Sequence, residues 1–172
     1  EMCIRDRFYG ALPRAVILLI FTIILRYISI TSHKDAQRIA DLTYRKETDL
    51  GTHVYNKNKY EEMIADYYLG VDRLAAIFWD VNNLKYVNDQ YGHAAGDVLI
   101  QTLSSVLYEL STDRRKVYRV GGDEFVMLIE NPVETEIESM VESVSAALQE
   151  KNSQGEMPVS SAVGLSLIHI SE

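Results

Sequence analysis

Two acidic residues directly after a glycine pair are the residues of this sequence best placed to do chemistry. Gly121 and Gly122 separate two short apolar runs and are followed by Asp123 and Glu124. A glycine pair between two strand-like runs predicts a β-hairpin, because tight hairpin turns use positive φ angles that glycine adopts without steric cost. The hairpin would place both carboxylates in the first residues of the returning strand, at the rim of a sheet. There they could bind a metal ion and, through it, a phosphate.

A further carboxylate, Asp80, ends an apolar run of strand length that begins at Arg73. The elements from this run onward follow the order β-α-α-β-β-α-β. With the two adjacent helices counted as one crossover, this order is the split βαβ, ferredoxin-like arrangement, in which the first and third strands are antiparallel central neighbours. We therefore predict an α+β fold in which Asp80 and Asp123 meet at one rim and could hold Mg²⁺ through oxygen ligands. Taken singly, each acid could also merely end a strand at the surface.

The other elements are predicted from hydrophobic periodicity and from capping residues. Asn56 is expected to cap a helix that runs through Leu69 and ends at Gly70. Further helices are predicted for residues 82–91, 94–110 and 133–151, and a last strand for residues 158–166. These elements make an antiparallel central sheet with flanking helices.

Four polar residues after Asp80 could recognise a nucleotide. Lys85 lies about one helical turn past the strand end, where its ammonium group can reach a phosphate. Asn88 offers an amide donor and acceptor and Asp97 two acceptor oxygens, which suit a purine edge because a carboxylate can accept from the N1–H and exocyclic amine of guanine. As isolated residues, Asn88 and Asp97 are more often helix caps or solvated polar positions, and His93 alone would be a cap or surface residue in most proteins.

Composition narrows the function classes. The net charge of −8 argues against a nucleic-acid-binding surface, although a nucleotide could still bind through metal ions. Cys3 is the single cysteine, so the sequence has no disulfide framework and no thiolate metal site.

The N-terminal part is much more apolar than the rest. The apolar run from Ala15 to Leu25, extended to Pro13 and Ile30, would span about 27 Å as a helix, close to the roughly 30 Å of a hydrocarbon core. We predict a transmembrane helix within residues 8–30 and a signalling helix and linker over residues 31–55. A signal peptide and a buried core helix remain alternatives. Basic residues after the span place the following domain in the cytoplasm by the positive-inside rule: Lys34, Arg38, Arg45 and Lys46.

Two segments carry a resemblance to a known family. The segments from Phe78 to Leu99 and from Tyr118 to Ile129 resemble the two signature blocks of the GGDEF family of diguanylate cyclases. The resemblance extends over about Asp49 to Ser166, and the motif Gly-Gly-Asp-Glu-Phe is intact. It implies the nucleotidyl-cyclase palm fold and the condensation of two GTP molecules into cyclic di-GMP, with release of two pyrophosphates. It also implies a homodimer in which each domain binds one GTP, and two Mg²⁺ or Mn²⁺ ions per active site.

The resemblance also assigns roles by position. Asp80, Asp123 and the Val81 carbonyl correspond to the metal ligands. Asp123 further corresponds to the base that acts on the ribose 3′-hydroxyl, Lys85 is the other residue expected to be catalytic, and Glu124 is expected to be supporting. The substrate-binding residues implied by the resemblance are Lys85, Asn88, His93, Asp97, Gly121 and Gly122.

The sequence departs from the family pattern in three places. Thr112 and Arg115 occupy the positions of the family's Arg-x-x-Asp product-inhibition site, which is therefore expected to be missing. The entry motif at Asp49 to Lys57 carries Gly51, His53 and Lys57 where the family has leucine, glycine and arginine, and we expect these changes to affect the turn more than the chemistry.

The third departure concerns the two ends. Residues 1–7 and 167–172 do not resemble the family and are expected to be non-native read-through, so that residues 56–166 form a catalytic domain truncated at its C-terminus. The family's later lysine and arginine contacts to the triphosphate would then be missing, which could leave this piece inactive.

Two rival functions stay open on the sequence. A GGDEF-like domain without catalysis could bind GTP or cyclic di-GMP as a receiver, although a receiver has no need for Asp80, Lys85 and Asp123 together. A related nucleotidyl cyclase or a polymerase-palm enzyme could use another base, although Asn88 and Asp97 favour guanine.

Overall fold

The computed structural model describes residues 2–154 and 157–169. The chain divides into two compact units, Glu1–Lys46 and Glu47–Glu172. Residue 1 and residues 170–172, which belong to the two predicted read-through tails, lie outside the described residues.

The first unit belongs to one long helix, α1 (Met2–Glu47). The predicted membrane helix and signalling helix are therefore a single continuous element. Within it, Val16–Glu47 contains an 18-residue window with a mean hydropathy of 1.9, none of it buried. By length and composition this is a candidate membrane span, and the only one among the residues described.

The helix predicted from Asn56 to Leu69 is confirmed in place but not in type. Asn56 is its N-cap, with Oδ1 accepting from the Lys59 N–H at 3.0 Å. Only α2 (Lys57–Glu62) is α-helical; a π-helical turn (Met63–Tyr67) and a 3₁₀ turn (Tyr68–Gly70) follow. Periodicity does not distinguish these helix types over such short segments, because a 3₁₀ turn and a π turn each differ from an α-helical turn by less than one residue.

A buried tyrosine pair accompanies this change of helix type. Tyr68 is 1% exposed, and its hydroxyl lies 3.1 Å from the hydroxyl of Tyr118 in the sheet. Burial raises the pKa of both hydroxyls, that of Tyr68 to about 12. The pair is therefore uncharged at neutral pH and joins the helical segment to the sheet through a satisfied buried hydrogen bond.

The second unit is built on a four-stranded antiparallel sheet of β1 (Arg73–Val81), β2 (Arg115–Arg119), β3 (Glu124–Glu130) and β4 (Ser161–His169). The strands lie in the order β2-β3-β1-β4. The predicted order of elements, and with it the ferredoxin-like α+β fold, is confirmed. In chain order the elements are β1, α3 (Leu84–Tyr91), α4 (His93–Glu109), β2, β3, α5 (Glu134–Gln154) and β4.

Two boundaries differ from the sequence prediction for visible reasons. α3 begins at Leu84 rather than at residue 82, because Asn83 lies in the left-handed region with φ 60° and forms a turn. β4 begins at Ser161 rather than at residue 158, because the side chain of Asn152 occupies both backbone groups of Val159, each at 2.8 Å. At its other end β4 continues past Ser166 to His169, which pairs with Arg73.

Apolar side chains fill both faces of the sheet. On one face α4 and α5 pack over buried strand residues that include Ile77, Trp79, Phe125 and Met127. On the other face the helical segment after Asn56 packs over a smaller cluster with Tyr68, Leu74, Ala76, Tyr118, Val126 and Leu128. Successive side chains along a strand therefore face two different cores, whereas Asp80 and Glu124 at one rim of the sheet are exposed.

Candidate active site

One rim of the sheet brings the predicted acids together. Asp80, next to the end of β1, is directly opposite Glu124, the first residue of β3. The next residue, Val81, donates its N–H to the carbonyl oxygen of Asp123 at 3.1 Å. The expected meeting of these two strand ends is confirmed, with one correction: β3 starts at Glu124, so Asp123 belongs to the turn.

The turn itself does not use the backbone geometry predicted for it. Neither Gly121 nor Gly122 has a positive φ, and Gly92 is the one described glycine that does. The turn closes instead through the carbonyl oxygen of Glu124, which accepts from the N–H groups of Val120 and Gly121 at 3.0 and 3.3 Å. This connection uses four residues to reverse the chain direction, where a tight hairpin turn uses two. The glycine pair is therefore not explained by a need for positive φ angles.

Close approach explains the first glycine of the pair. A Cβ added to Gly121 would collide with the carboxylate oxygen Oε2 of Glu124 and lie 3.2 Å from its Cβ. A Cβ added to Gly122 meets nothing within 4 Å. Gly121 thus leaves room for the side chain of Glu124, whereas Gly122 keeps an open surface above the turn.

The two glycines should therefore respond differently to alanine. Gly122→Ala is expected to change the free energy of unfolding by no more than about 0.5 kcal/mol, because the methyl group enters open space. Gly121→Ala is expected to displace the Glu124 side chain and to cost about 1 kcal/mol, because the added methyl group also crowds the Glu124 Cβ. Urea denaturation followed by the fluorescence of the single tryptophan measures both, and equal costs would contradict this account.

The acids lie close to a second functional element, the start of α3. Asn83 provides the left-handed residue that turns the chain from β1 into the helix, and Asn82 is held by hydrogen bonds from its N–H and its Nδ2 to Ser160, at 3.0 and 3.1 Å. Lys85 follows in the first turn of α3 and is exposed. A helix N-terminus with a lysine beside it is suited to a phosphate group.

The predicted purine-reading residues lie where α3 meets α4. Gly92, with φ 84°, joins the two helices, and its N–H donates to the carbonyl of Asn88 at 2.9 Å. The side-chain oxygen of Asn88 is buried and has no hydrogen-bond partner in the part of the chain that the structure describes. It lies so close to Gly96 that any Cβ at that position would collide with it. Asp97 and His93 lie on the same helix as Gly96 and are exposed.

A cavity of about 290 Å³ opens beside the acids. Asp80 and Glu124 line it together with Phe78 and Gly164, on the sheet face that carries the tyrosine pair. The cavity does not include Lys85, Asn88, His93 or Asp97 in its lining. The structure thus places the acids together and the predicted purine-reading residues together as two groups, separated by the first turn of α3.

The oxygen donors at the rim fit a hard divalent cation. Asp80, Asp123 and Glu124 supply carboxylates and Val81 a backbone carbonyl, the ligand types that Mg²⁺ and Mn²⁺ prefer. Within the described part of the chain, no three acidic, histidine or cysteine side chains converge on one point. Bound water and substrate phosphates commonly complete such a set, because Mg²⁺ takes only one or two carboxylates.

Arg119 is the residue that sequence reasoning missed. Its Nη2 donates to the carbonyl oxygen of Gly122 at 2.7 Å, and its Nη1 donates to Oδ1 of Asp49 at 3.1 Å. Asp49 also accepts from the N–H and the hydroxyl of Thr52. Although burial acts to raise it, the hydrogen bonds from Thr52 and Arg119 hold the pKa of Asp49 below its usual range. A lone arginine in a strand carries no sequence signal for such a contact.

The entry turn, residues 49–55, accommodates one of its departures from the family by adopting an unfavourable backbone conformation. His53, at the position of a family glycine, has φ 61°, in the left-handed region that glycine favours. The turn is closed by the N–H of His53 donating to the carbonyl of Asp49 at 2.7 Å. Thr112 and Arg115, at the expected product-inhibition positions, bond to each other through their backbones.

The chain matches the family model described as "Diguanylate cyclase, GGDEF domain" over residues 46–171. It belongs to the GGDEF family. The match covers the whole rim, from Asp49 through Asp80 and Asp123 to β4, and includes most of the C-terminal residues expected to be foreign to the family.

Comparison with individual proteins agrees with this membership. Diguanylate cyclase DgcN of Escherichia coli is 40% identical over 74 residues, which are 43% of this chain and 17% of DgcN. Cyclic di-GMP phosphodiesterase PdeR of the same organism is 30% identical over 122 residues, 70% of this chain and 18% of PdeR. The chain thus spans less than a fifth of these two relatives.

A solved structure shares the fold of the GGDEF unit and its preceding helix. The coiled coil and GGDEF domain of DgcB from Caulobacter crescentus, solved with c-di-GMP, superposes with a TM-score of 0.72 at 18% identity. The alignment covers 86% of this chain and 83% of the DgcB chain. At this identity the likeness concerns the fold.

Proposed function

We propose that the GGDEF domain condenses two GTP molecules into cyclic di-GMP and releases two pyrophosphates. The observation that carries this proposal is the rim at which Asp80 faces Glu124 and Val81 is bonded to Asp123. The sheet holds these carboxylates at its rim, and Lys85 lies on the adjoining helix. Together they form a site for a nucleoside triphosphate and its cations.

Metal binding is assigned to Asp80, Asp123 and the Val81 carbonyl, with Glu124 in a supporting role. Two Mg²⁺ or Mn²⁺ ions at this position would neutralise charge on the phosphates during transfer. The residues of the chain then hold the reacting groups in line, and positioning supplies much of the acceleration. Lys85 contributes a fixed positive charge toward the phosphates.

Bond changes follow from this arrangement. Asp123 takes the proton of the ribose 3′-hydroxyl, and that oxygen forms a bond to the α-phosphorus of the other GTP. The bond from the α-phosphorus to the bridging oxygen breaks, and its electron pair leaves with pyrophosphate. A second transfer in the opposite direction closes the ring. Since each domain holds one GTP, the reaction requires a homodimer with two facing half-sites.

Guanine recognition is assigned to Asn88 and Asp97, with His93 as a further contact. The buried oxygen of Asn88 has no hydrogen-bond partner among the described residues, and a buried acceptor without a donor costs about 1–3 kcal/mol. The amine or N1–H of guanine would supply that donor. The open surface above Gly122 leaves space for the substrate beside the turn.

We also propose a location. The apolar part of α1 spans the cytoplasmic membrane, and the basic residues after it keep the GGDEF domain in the cytoplasm, where GTP is available. The whole protein then acts as a membrane signalling protein with the GGDEF domain as its output.

Guanine selectivity tests the proposed function. GTP is expected to displace a fluorescent GTP analogue from the chain far better than ATP does. Asp97→Ala should weaken GTP binding by about 10- to 100-fold, because it removes hydrogen bonds to a charged acceptor. Incubation with GTP and Mg²⁺, followed by separation of the nucleotides, tests for cyclic di-GMP.

Asp89→Ala is the matched control, since Asp89 is an exposed acid on the neighbouring helix. Equal displacement by ATP and GTP would contradict guanine recognition and favour a cyclase of another base. Tight binding of GTP or cyclic di-GMP with no product would favour the receiver function instead.

A further inference from the structure

Arg119 connects two parts of the chain that are distant in sequence. Its guanidinium group uses one nitrogen for the Gly122 carbonyl and the other terminal nitrogen for the Asp49 carboxylate, at 2.7 and 3.1 Å. Gly122 is the residue before Asp123. Asp49 comes just after the end of α1, in the entry turn, which comprises residues 49–55.

The entry turn is itself fixed to β2 at the same place. Tyr55 donates its N–H to the carbonyl of Val117 at 3.1 Å and accepts from the N–H of Arg119 at 2.7 Å. Asp49 is held within the turn because its Oδ1 accepts from both groups of Thr52, at 3.0 and 2.7 Å. Thr52 is buried. The Asp49 carboxylate, which orients Arg119, is therefore itself held in place by Thr52.

Burial strengthens the contact. The side chains of Arg119 and Asp49 are 20% and 29% exposed, so the ion pair is screened less than a surface pair. A planar guanidinium group bound at two of its nitrogens has little freedom to rotate. The carbonyl of Gly122 is thus held in one direction.

We propose that Arg119 is a positioning residue that holds the Gly122–Asp123 peptide in the orientation required for metal binding, and that Asp49 sets the position of Arg119. This inference rests on the proposed function for the identity of the metal site. It makes the entry turn a control point for catalysis, because the Arg119 side chain connects Asp49 in that turn to the residue before Asp123.

The primary test is Mn²⁺ affinity, measured on the full chain by electron paramagnetic resonance of free Mn²⁺. Arg119→Gln is expected to weaken binding by about 10- to 100-fold, the usual effect of losing a group that orients a metal ligand. Asp49→Asn should weaken it in the same direction. In the double variant, Asp49→Asn should add less than about twofold, because its effect passes through Arg119.

Two further variants separate positioning from charge and from stability. Arg119→Lys keeps the charge but cannot hold two partners in a planar fork, so it should not restore Mn²⁺ affinity. Lys59→Gln is the matched control, because Lys59 makes a comparably buried ion pair with Glu47 at 3.0 Å without contacting the glycine turn at residues 120–123. It should lower stability and leave Mn²⁺ affinity unchanged.

Backbone amide exchange keeps this inference distinct from the proposed function. Arg119→Gln should speed exchange of the Val120 and Gly121 amides, and Lys59→Gln should not. If exchange at the turn is unchanged by Arg119→Gln, or if Lys59→Gln lowers Mn²⁺ affinity equally, the inference is wrong. If exchange at the turn rises but the unmodified chain binds no Mn²⁺, the proposed function fails while the role of Arg119 in holding the turn stands.

Discussion

Asp123→Ala is expected to reduce cyclic di-GMP formation by about 1,000-fold or more and to weaken Mn²⁺ binding in the same protein. Loss of a general base alone typically costs about 100- to 10,000-fold, and Asp123 is also assigned to the metal. Stability should change little, because Asp123 lies in a turn and its bond to Val81 comes from the backbone carbonyl, which alanine keeps.

Asp113→Ala is the control for this result. Asp113 is an exposed acid just before β2, at the far end of the same hairpin, so it changes the net charge equally without touching the rim. Product formation is measured by chromatography after incubation with GTP and Mg²⁺. An unchanged rate in Asp123→Ala would exclude the proposed mechanism, whereas loss of Mn²⁺ binding with retained GTP binding would support it.

The largest expected effect on stability is that of Phe125→Ala. Phe125 is 0% exposed and lies in the larger core, paired in register with Trp79. Removing a buried phenyl ring typically costs about 3–5 kcal/mol, a large part of the about 5–15 kcal/mol that stabilises a domain. Urea denaturation followed by the fluorescence of Trp79, the single tryptophan, reports on this core directly.

Phe78→Ala is the matched control on the neighbouring strand. Phe78 is 41% exposed and faces the opposite side of the sheet, so its loss should cost about 1 kcal/mol. A cost of only about 1 kcal/mol at Phe125, no larger than that at Phe78, would contradict this prediction. The contrast assigns a structural role to the phenylalanine of the signature motif, next to the acids that are assigned to chemistry.

Strand order and the convergence of Asp80 with the glycine-pair acids were predictable, because both depend on patterns that repeat over many residues. Hydrophobic alternation marks strands, 3.6-residue periodicity marks helices, and the order of the elements leaves few topologies. The cap at Asn56 was predictable for a similar reason, since capping depends on a few adjacent residues. The family motif added roles for Lys85, Asn88 and Asp97 that these patterns alone left open.

Local details that depend on distant contacts were not predictable. The π-helical turn after Glu62 accompanies the Tyr68–Tyr118 hydroxyl contact, and the start of β4 is delayed by the side chain of Asn152. The positive φ predicted for the glycine pair was wrong, because the requirement at Gly121 comes from the side chain of Glu124 packing against it. No window of neighbouring residues contains that information.

The sequence by itself thus determined the fold class, the family and the set of acids, since composition and spacing encode which residues can meet at the rim. Only the tertiary structure decided how that rim is held: Glu124 rather than Asp123 stands opposite Asp80, and Arg119 ties the turn to Asp49. The physical reason is that hydrogen bonds and close contacts between distant segments depend on distances of a few ångströms, which spacing along a chain does not specify.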